Sequence, residues 1–262
     1  MLQEFDLTGK VAIVTGGNRG IGRGIALGLA RAGADVVIAA RDQDRNDAVV
    51  EEIVKLGRRA VGVACDVTDG KQVERAVAAA VRELGSLSIL VNNAGTGGRQ
   101  RPPQEADEAD WDAVFALNLK GTLSACQAVY PVFSANGGGK IINISSAGTR
   151  ISFETGMGYG ASKAGVEYLT RTLATAWGPR NIQVNAILPG VVPTEMMTAF
   201  DDEGTRARVI RHTPARRGGD ALEFGAIAVF LASRASDFMT GQSLLFDGGL
   251  TIMTSKTIFR RE

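Results

Sequence analysis

Residues 10–33 read KVAIVTGGNRGIGRGIALGLARAG, and this stretch decides the fold. The segment 10–16 is short and rich in valine and isoleucine, the pattern of a strand buried on both faces. Over 20–33 the apolar residues recur at helical spacing and stop at Gly33. Between them TGGNRGIG, residues 15–22, sets glycines in a G-x-x-x-G-x-G spacing. Glycine lets the backbone turn tightly and approach a pyrophosphate, and a helix N-terminus offers free N–H groups and a positive dipole end. A strand, such a turn and a helix in direct succession predict a nucleotide site. No Gly-Lys-Ser/Thr follows the turn, which excludes the P-loop.

The same alternation continues along the chain. The segments 34–40, 60–67, 87–95, 139–146 and 181–190 read as further strands, and 242–249 as a last one. Helical spacing covers 44–57, 70–85, 108–134, 157–177 and about 220–233. Apolar strands alternating with helices imply α/β architecture, a doubly wound Rossmann-type parallel sheet covered on both faces. No linker-like composition, repeat or low-complexity block interrupts it, so residues 1–262 read as one domain. The longest irregular stretches, 96–108 and about 193–217, follow strand ends. Ligands bind at that end of such sheets, so 193–217 is expected to cover a substrate.

Composition narrows the functions. A net charge of +1 gives no general field for nucleic acid or an anionic membrane. No apolar run reaches the roughly 18–20 residues needed to span a bilayer, and the first ten residues lack a secretory signal pattern. Cys65 and Cys126 lie in apolar surroundings, which fits reduced core thiols and a cytoplasmic protein. The single histidine, His212, rules out metal sites built from several histidines, and no metal is expected. Without a G-x-S-x-G elbow it is not expected to serve a serine triad either.

The second strand tests which dinucleotide fits. An NAD-binding chain usually carries an acid at its end to hold the ribose 2′-hydroxyl. Here the end reads Ala39-Ala40-Arg41, and Arg19 inside the glycine turn approaches the same place. Two guanidinium groups favour a 2′-phosphate through charge-assisted contacts, so the expected cofactor is NADP(H). The competing reading is that both arginines are solvated, with Asp42 pairing with Arg41.

Further along, GYGASKAG (158–165) places Tyr159 and Lys163 one helical turn apart. With TGGNRGIG, NNAG (92–95), Asn118 in ALNLKG, ISS (144–146) and PG (189–190), the chain resembles the short-chain dehydrogenase/reductase family from about residue 8 to the FDGG at 246–249. The resemblance implies a seven-stranded sheet and a catalytic tetrad of Asn118, Ser146, Tyr159 and Lys163. Ser145 competes with Ser146, but the family's serine often lies about thirteen positions before the tyrosine, which selects Ser146. The resemblance further implies cofactor contacts from Gly16, Asn18, Arg19, Gly20, Ile21 and Gly22 in the turn, and from Arg41. Asp66 and Val67 would meet the adenine, and Asn93, Ala94 and Gly95 would line the cofactor. Past Pro189 and Gly190, Val192 and Thr194 would hold the carboxamide end, while Tyr159 and Lys163 also touch the cofactor.

Reducing a ketone needs a hydride on carbon and a proton on oxygen. A free tyrosine, with a pKa near 10, holds its proton too firmly for ready exchange near neutral pH. Lys163 is expected to stabilise the phenolate and lower that value. Ser146 would polarise the substrate oxygen, and Asn118 would hold a water linking the lysine to solvent. Trp111, Phe115 and Leu119 share a helical spacing and read as core or subunit contact.

The resemblance points most closely to 3-oxoacyl-(acyl carrier protein) reductase-like members, hence to NADPH-dependent reduction of a 3-oxoacyl thioester or similar ketone. An acyl carrier protein is then a partner beside the small-molecule carbonyl or alcohol. The alternatives are an NAD(P)-linked sugar or polyol dehydrogenase of the same fold and a non-catalytic NADP-binding redox sensor. The arginine-rich segment 205–219, with Arg99 and Arg101, reads either as a rim or as a site for an anion, and Met196, Met197 and Phe200 as an apolar surface. The tail 254–262 has no evident chemistry. By family analogy a homotetramer forms through 108–134 and 157–177.

Overall fold

Seven strands pair in one fully parallel sheet of order β3-β2-β1-β4-β5-β6-β7. They are β1 Val11–Thr15, β2 Asp35–Ala40, β3 Ala60–Ala64, β4 Ile89–Asn92, β5 Gly139–Ile144, β6 Ile182–Pro189 and β7 Ser243–Phe246. The computed structural model describes residues 2–152, 154–197 and 202–252. Phe200 and the tail 254–262 lie outside the described residues.

Each strand sends alternate side chains to opposite faces, and both faces are buried except along the edge strands β3 and β7. Ala12, Val14, Val36, Ile38, Ile89 and Val91 pack on one side with Ile25 and Leu29 of α1 (Gly20–Arg31) and Phe224 and Leu231 of α8 (Phe224–Ala232). Ile13, Val37, Leu90 and Ile141 pack on the other with Val77 of α3 (Gly70–Leu84) and Val129 and Phe133 of α5 (Gly121–Ala135). This two-sided burial is why the strands read as continuous apolar runs. Helices α2 (Gln43–Lys55), α4 (Glu108–Phe115), α6 (Met157–Trp177) and α7 (Glu203–His212) complete the set described.

Helices α1 and α8 approach closely because glycines face each other. A Cβ at Gly28 would lie 2.4 Å from the Cα of Gly225, and one at Gly24 would lie 1.9 Å from the carbonyl oxygen of Ala221. The second contact is with backbone, which cannot rotate aside. Gly24→Ala is therefore expected to destabilise the fold by roughly 1–3 kcal/mol, read as a midpoint shift in urea unfolding. An unchanged midpoint would show that the two elements separate freely.

Two expectations need correction. The helix expected over 108–134 is three pieces, because a π-helical turn, Ala116–Lys120, separates α4 from α5. Beside the turn the Thr122 hydroxyl donates to Asn118 O at 2.8 Å. The stretch 193–217, expected to be irregular, contains α7, begun by the Asp202 carboxylate accepting from Thr205 N at 2.6 Å. Among the described residues no helix is long and apolar enough to cross a membrane.

Candidate active site

Chain order reverses direction between β1 and β4, and the crevice at their carboxyl ends is where such sheets bind ligands. Thr15 ends β1 there, paired in register with Asn92. Its hydroxyl accepts from Asn93 N at 3.0 Å and Ala94 N at 3.1 Å. The Asn93 amide donates to Thr15 O and Gly16 O, both at 3.0 Å. The Asn93 side chain thus grips the glycine turn, and Thr15, which sequence reasoning passed over, is the hinge pin of the crevice. Its position directly before the turn was the available signal.

The turn itself is shaped for close approach. A Cβ at Gly22 would lie 2.3 Å from Gly16 O and 2.4 Å from the Asn93 amide nitrogen. Gly16 has φ near +60°, a conformation that side-chain-bearing residues rarely adopt. No side chain caps the N-terminus of α1, whereas aspartates cap α2, α3, α4 and α7. Free N–H groups therefore face the turn. Thr194 reaches back over it, since a Cβ at Gly20 would lie 3.2 Å from its methyl carbon. Ile21 is partly buried and packs against the core on the α1 side. Asn18 donates to Asp42 O at 3.3 Å, joining the turn to the end of β2.

Arg41 is exposed at that end, and its charge helps hold the Asp66 carboxyl below its usual range. Thr68 contributes more to that lowering, donating to Asp66 from its backbone at 2.9 Å and its hydroxyl at 2.7 Å. Asp42 does not pair with Arg41 as the competing reading had it. It caps α2 and lies 3.3 Å from Arg45. Arg19 pairs with Glu195 at 2.8 Å, a contact between a glycine-turn residue and the segment beyond β6. Val67 is buried beneath Gly121, and Pro189 and Gly190 close β6, with Gly190 N donating to Phe246 O at 3.1 Å. Val192 is buried among the core residues on the α1 side.

The tetrad candidates converge at the ends of β4 and β5. Lys163 is buried on α6 and donates from Nζ to Ile144 O at 2.7 Å. A Cβ at Gly95 would lie 3.1 Å from Asn118 Oδ1 and 3.4 Å from Lys163 Nζ, which places these three residues together. Asn118 sits on the π turn, where its Oδ1 accepts from Thr96 N at 2.8 Å. Its Nδ2 donates to Thr96 O at 2.9 Å and Ser162 Oγ at 3.0 Å. Both amide hydrogens are used, so any water at Asn118 must be the donor. Ser162 in turn donates to Tyr159 O at 2.8 Å, tying the tyrosine's own backbone to Asn118.

The two serines separate cleanly. Ser145 is turned to α6, where its hydroxyl donates to Lys163 O at 3.0 Å. Ser146 accepts from Gly148 N at 3.0 Å, and its side chain acts on the Tyr159 phenol, favouring ionisation. Burial outweighs that effect and pushes the phenol up from its ordinary value. The expectation that Lys163 lowers it is not met, because the ammonium lies 5.9 Å from the ring centroid and is bonded to Ile144. Burial also lowers Lys163, to about 8.

Packing around the site fixes α6. Asn92 donates to Asn143 at 2.9 Å, and Asn143 to the Thr170 hydroxyl at 2.9 Å, a buried chain from β4 through β5 to α6. Trp111 stacks on Phe115 with ring centroids 4.6 Å apart and covers Gly158, while Leu119 lies against Gly165. These three hold α6 against the π turn. His212 lies on exposed α7, its Nδ1 2.8 Å from Arg208 O. Cys65 and Cys126 are free and buried, their thiols pushed up by burial to about 11 and about 12.

The chain matches a family profile described as enoyl-(acyl carrier protein) reductase over residues 16–251. It is 39% identical over 249 residues to gluconate 5-dehydrogenase of Gluconobacter oxydans (strain 621H), covering 95% of this chain and 97% of that protein. A crystal structure of gluconate 5-dehydrogenase from Burkholderia cenocepacia J2315, in complex with NADP and tartrate, superposes with a TM-score of 0.92. It is 38% identical and covers 97% of this chain and 99% of its own. A 7α-hydroxysteroid dehydrogenase complexed with NADH and 7-oxo glycochenodeoxycholic acid superposes at 0.90, with 36% identity over 94% of this chain and 96% of its own. With a family profile matched over residues 16–251 and 36–39% identity to known dehydrogenases over nearly the whole length of both chains, the chain belongs to the short-chain dehydrogenase/reductase family.

Proposed function

We propose that the protein interconverts a secondary alcohol and a ketone on a small polyhydroxylated acid, with NADP(H) as cofactor. The observation that carries the chemistry is the gathering of Asn118, Ser146, Tyr159 and Lys163 at one end of the sheet. The residues present fit a dinucleotide, since the Gly16–Gly22 cradle has no room for a Cβ at Gly22 and α1 begins without a side-chain cap. Gly16, Gly20, Gly22 and the α1 N-terminus would hold the pyrophosphate, and Asp66 and Val67 the adenine. Gly95, Pro189, Gly190, Val192 and Thr194 would hold the nicotinamide half. The bound nicotinamide supplies or takes up the hydride.

The chain's own residues handle the proton. The Tyr159 phenol, protonated at neutral pH, donates its proton to the substrate oxygen during reduction; in oxidation the phenolate, its own proton first released to solvent, takes the proton of the alcohol. Ser146 orients that oxygen and Lys163 supplies positive charge beneath it. A water donating to Asn118 would return protons from solvent.

The substrate class follows the relatives named for gluconate, which this chain matches over nearly their whole length. Arg99 and Arg101, on the segment after β4, would supply cations for a carboxylate, Arg99 in exchange for Asp107, which lies 3.3 Å from it. A 3-oxoacyl thioester, with acyl carrier protein as partner, is the second reading; the family profile's description supports only the carrier-protein part of it, since it names an enoyl substrate. Comparing kcat/KM for 5-keto-gluconate, a 3-oxoacyl thioester and a bulky cyclic ketone tests the choice. The sugar acid is expected to lead by at least about tenfold, and a lead by the thioester would install the second reading.

Cofactor choice rests on Arg41 and Arg19, because the two solved relatives were crystallised with different cofactors. Arg41→Ala is expected to weaken NADPH binding about tenfold and NADH binding little. Equal losses would show that Arg41 does not read the phosphate. Segment 193–217 is assigned to cover the substrate. The chain is further proposed to form a homotetramer through the helices within 108–134 and 157–177, where Tyr168 is exposed.

A further inference from the structure

The NADP(H) reading leaves one contact unexplained. Glu195, next to Thr194 in the segment beyond β6, reaches back to two elements on the far side of the crevice. Its Oε2 accepts from Arg19 Nη1 at 2.8 Å and from Arg45 Nη1 at 2.9 Å, and its Oε1 lies 3.2 Å from Arg45 Nη1. Arg19 precedes α1 and Arg45 lies in the first turn of α2. Asn18 ties the same two elements together through Asp42 O. Two guanidinium groups from separate elements therefore meet on one carboxylate at the corner between the glycine turn and the end of β2, which is where a 2′-phosphate belongs.

We propose that Arg45 joins Arg19 in specifying the 2′-phosphate and that Glu195 is its internal competitor, so that phosphate binding displaces the Glu195 carboxylate from both arginines. The inference rests on the NADP(H) reading. A phosphate monoester carries more negative charge and one more acceptor oxygen than a carboxylate, so it outcompetes Glu195 for the same donors. All three side chains are about half exposed, which keeps the bridge weak enough to exchange. Asp42, 3.3 Å from Arg45, stays with that arginine in either state. A dinucleotide lacking the 2′-phosphate has nothing with which to displace Glu195. The Glu195 carboxylate thus responds to one cofactor and not to the other.

The test is calorimetric titration of the whole chain with 2′,5′-ADP and with 5′-AMP, which requires no turnover. The wild type is expected to bind 2′,5′-ADP more tightly than 5′-AMP. Glu195→Gln is expected to tighten 2′,5′-ADP about fivefold, the scale of an exposed ion pair. Arg45→Ala is expected to weaken it about tenfold. Binding of 5′-AMP should stay within about twofold in both variants, which also reports that the fold is intact. If the wild type shows no preference for 2′,5′-ADP, the NADP(H) reading falls and takes this inference with it. If the wild type does prefer it but either variant binds it as the wild type does, the inference alone is overturned. Equal changes for both nucleotides would overturn it too.

Discussion

Tyr159→Phe is expected to lower turnover roughly 10²- to 10⁴-fold, the range contributed by a positioned proton donor, while NADPH binding stays close to wild type. The substitution removes one oxygen and keeps the ring, so packing against its neighbours survives. Burial holds the phenol above its ordinary value, which makes it a protonated acid across the neutral range. Reduction leaves negative charge on the former carbonyl oxygen, and an alkoxide is basic enough to take the proton of a phenol even when burial has raised its pKa. Ser146 is held by Gly148 N as an acceptor and retains its hydroxyl hydrogen for the substrate, but a serine hydroxyl is far too weak an acid to substitute. Turnover within a few-fold of wild type, measured by nicotinamide absorbance, would remove Tyr159 from the mechanism.

The second large effect concerns Lys163, where stability and function pull apart. Its ammonium is buried, and burial lowers its pKa from the ordinary 10.5 to about 8. The folded chain therefore binds fewer protons than the unfolded chain between pH 8 and 10.5. The resulting instability is present in full below the folded value and disappears as pH rises through 10.5. It amounts to about 3 kcal/mol. Lys163→Met removes this cost but strands Ile144 O, which loses its donor and gives back roughly 1–3 kcal/mol. At pH 7 the variant is thus expected to unfold at a urea concentration equal to or above that of wild type, by about 0–2 kcal/mol in stability, while turnover collapses. Its advantage should shrink steadily between pH 8 and 10. A stability difference that does not change with pH would mean that the ammonium is not desolvated as the structure shows.

How much was legible beforehand depended on how local each feature is. The strand, turn and helix over 10–33 were readable because a buried strand and an amphipathic helix each announce themselves within a dozen residues, and the structure places them as β1 and α1. Tyr159 and Lys163 were readable because four residues separate them on one helix. The π turn was not, since it depends on Thr96 bonding Asn118 across 22 residues of chain. Helix α7 escaped notice because it buries none of its residues and so leaves no apolar period, although Asp202 gave a capping signal. Arg19 was expected to face a phosphate, but its engagement with Glu195 spans 176 residues and follows only from the folded path of the segment after β6. The direction of the Tyr159 shift was misjudged for a related reason. Spacing along a helix says that a lysine is near, and only the fold shows that Ile144 O claims its ammonium.

The most direct test of the central claim is to follow nicotinamide absorbance after mixing the protein with NADPH and 5-keto-gluconate, with Tyr159→Phe in parallel. The account predicts steady NADPH consumption by the wild type, its near-complete loss in the variant, and equal NADPH binding by both. NADPH that binds tightly and is never consumed with any carbonyl offered, or consumption that survives the loss of the phenol, would contradict it.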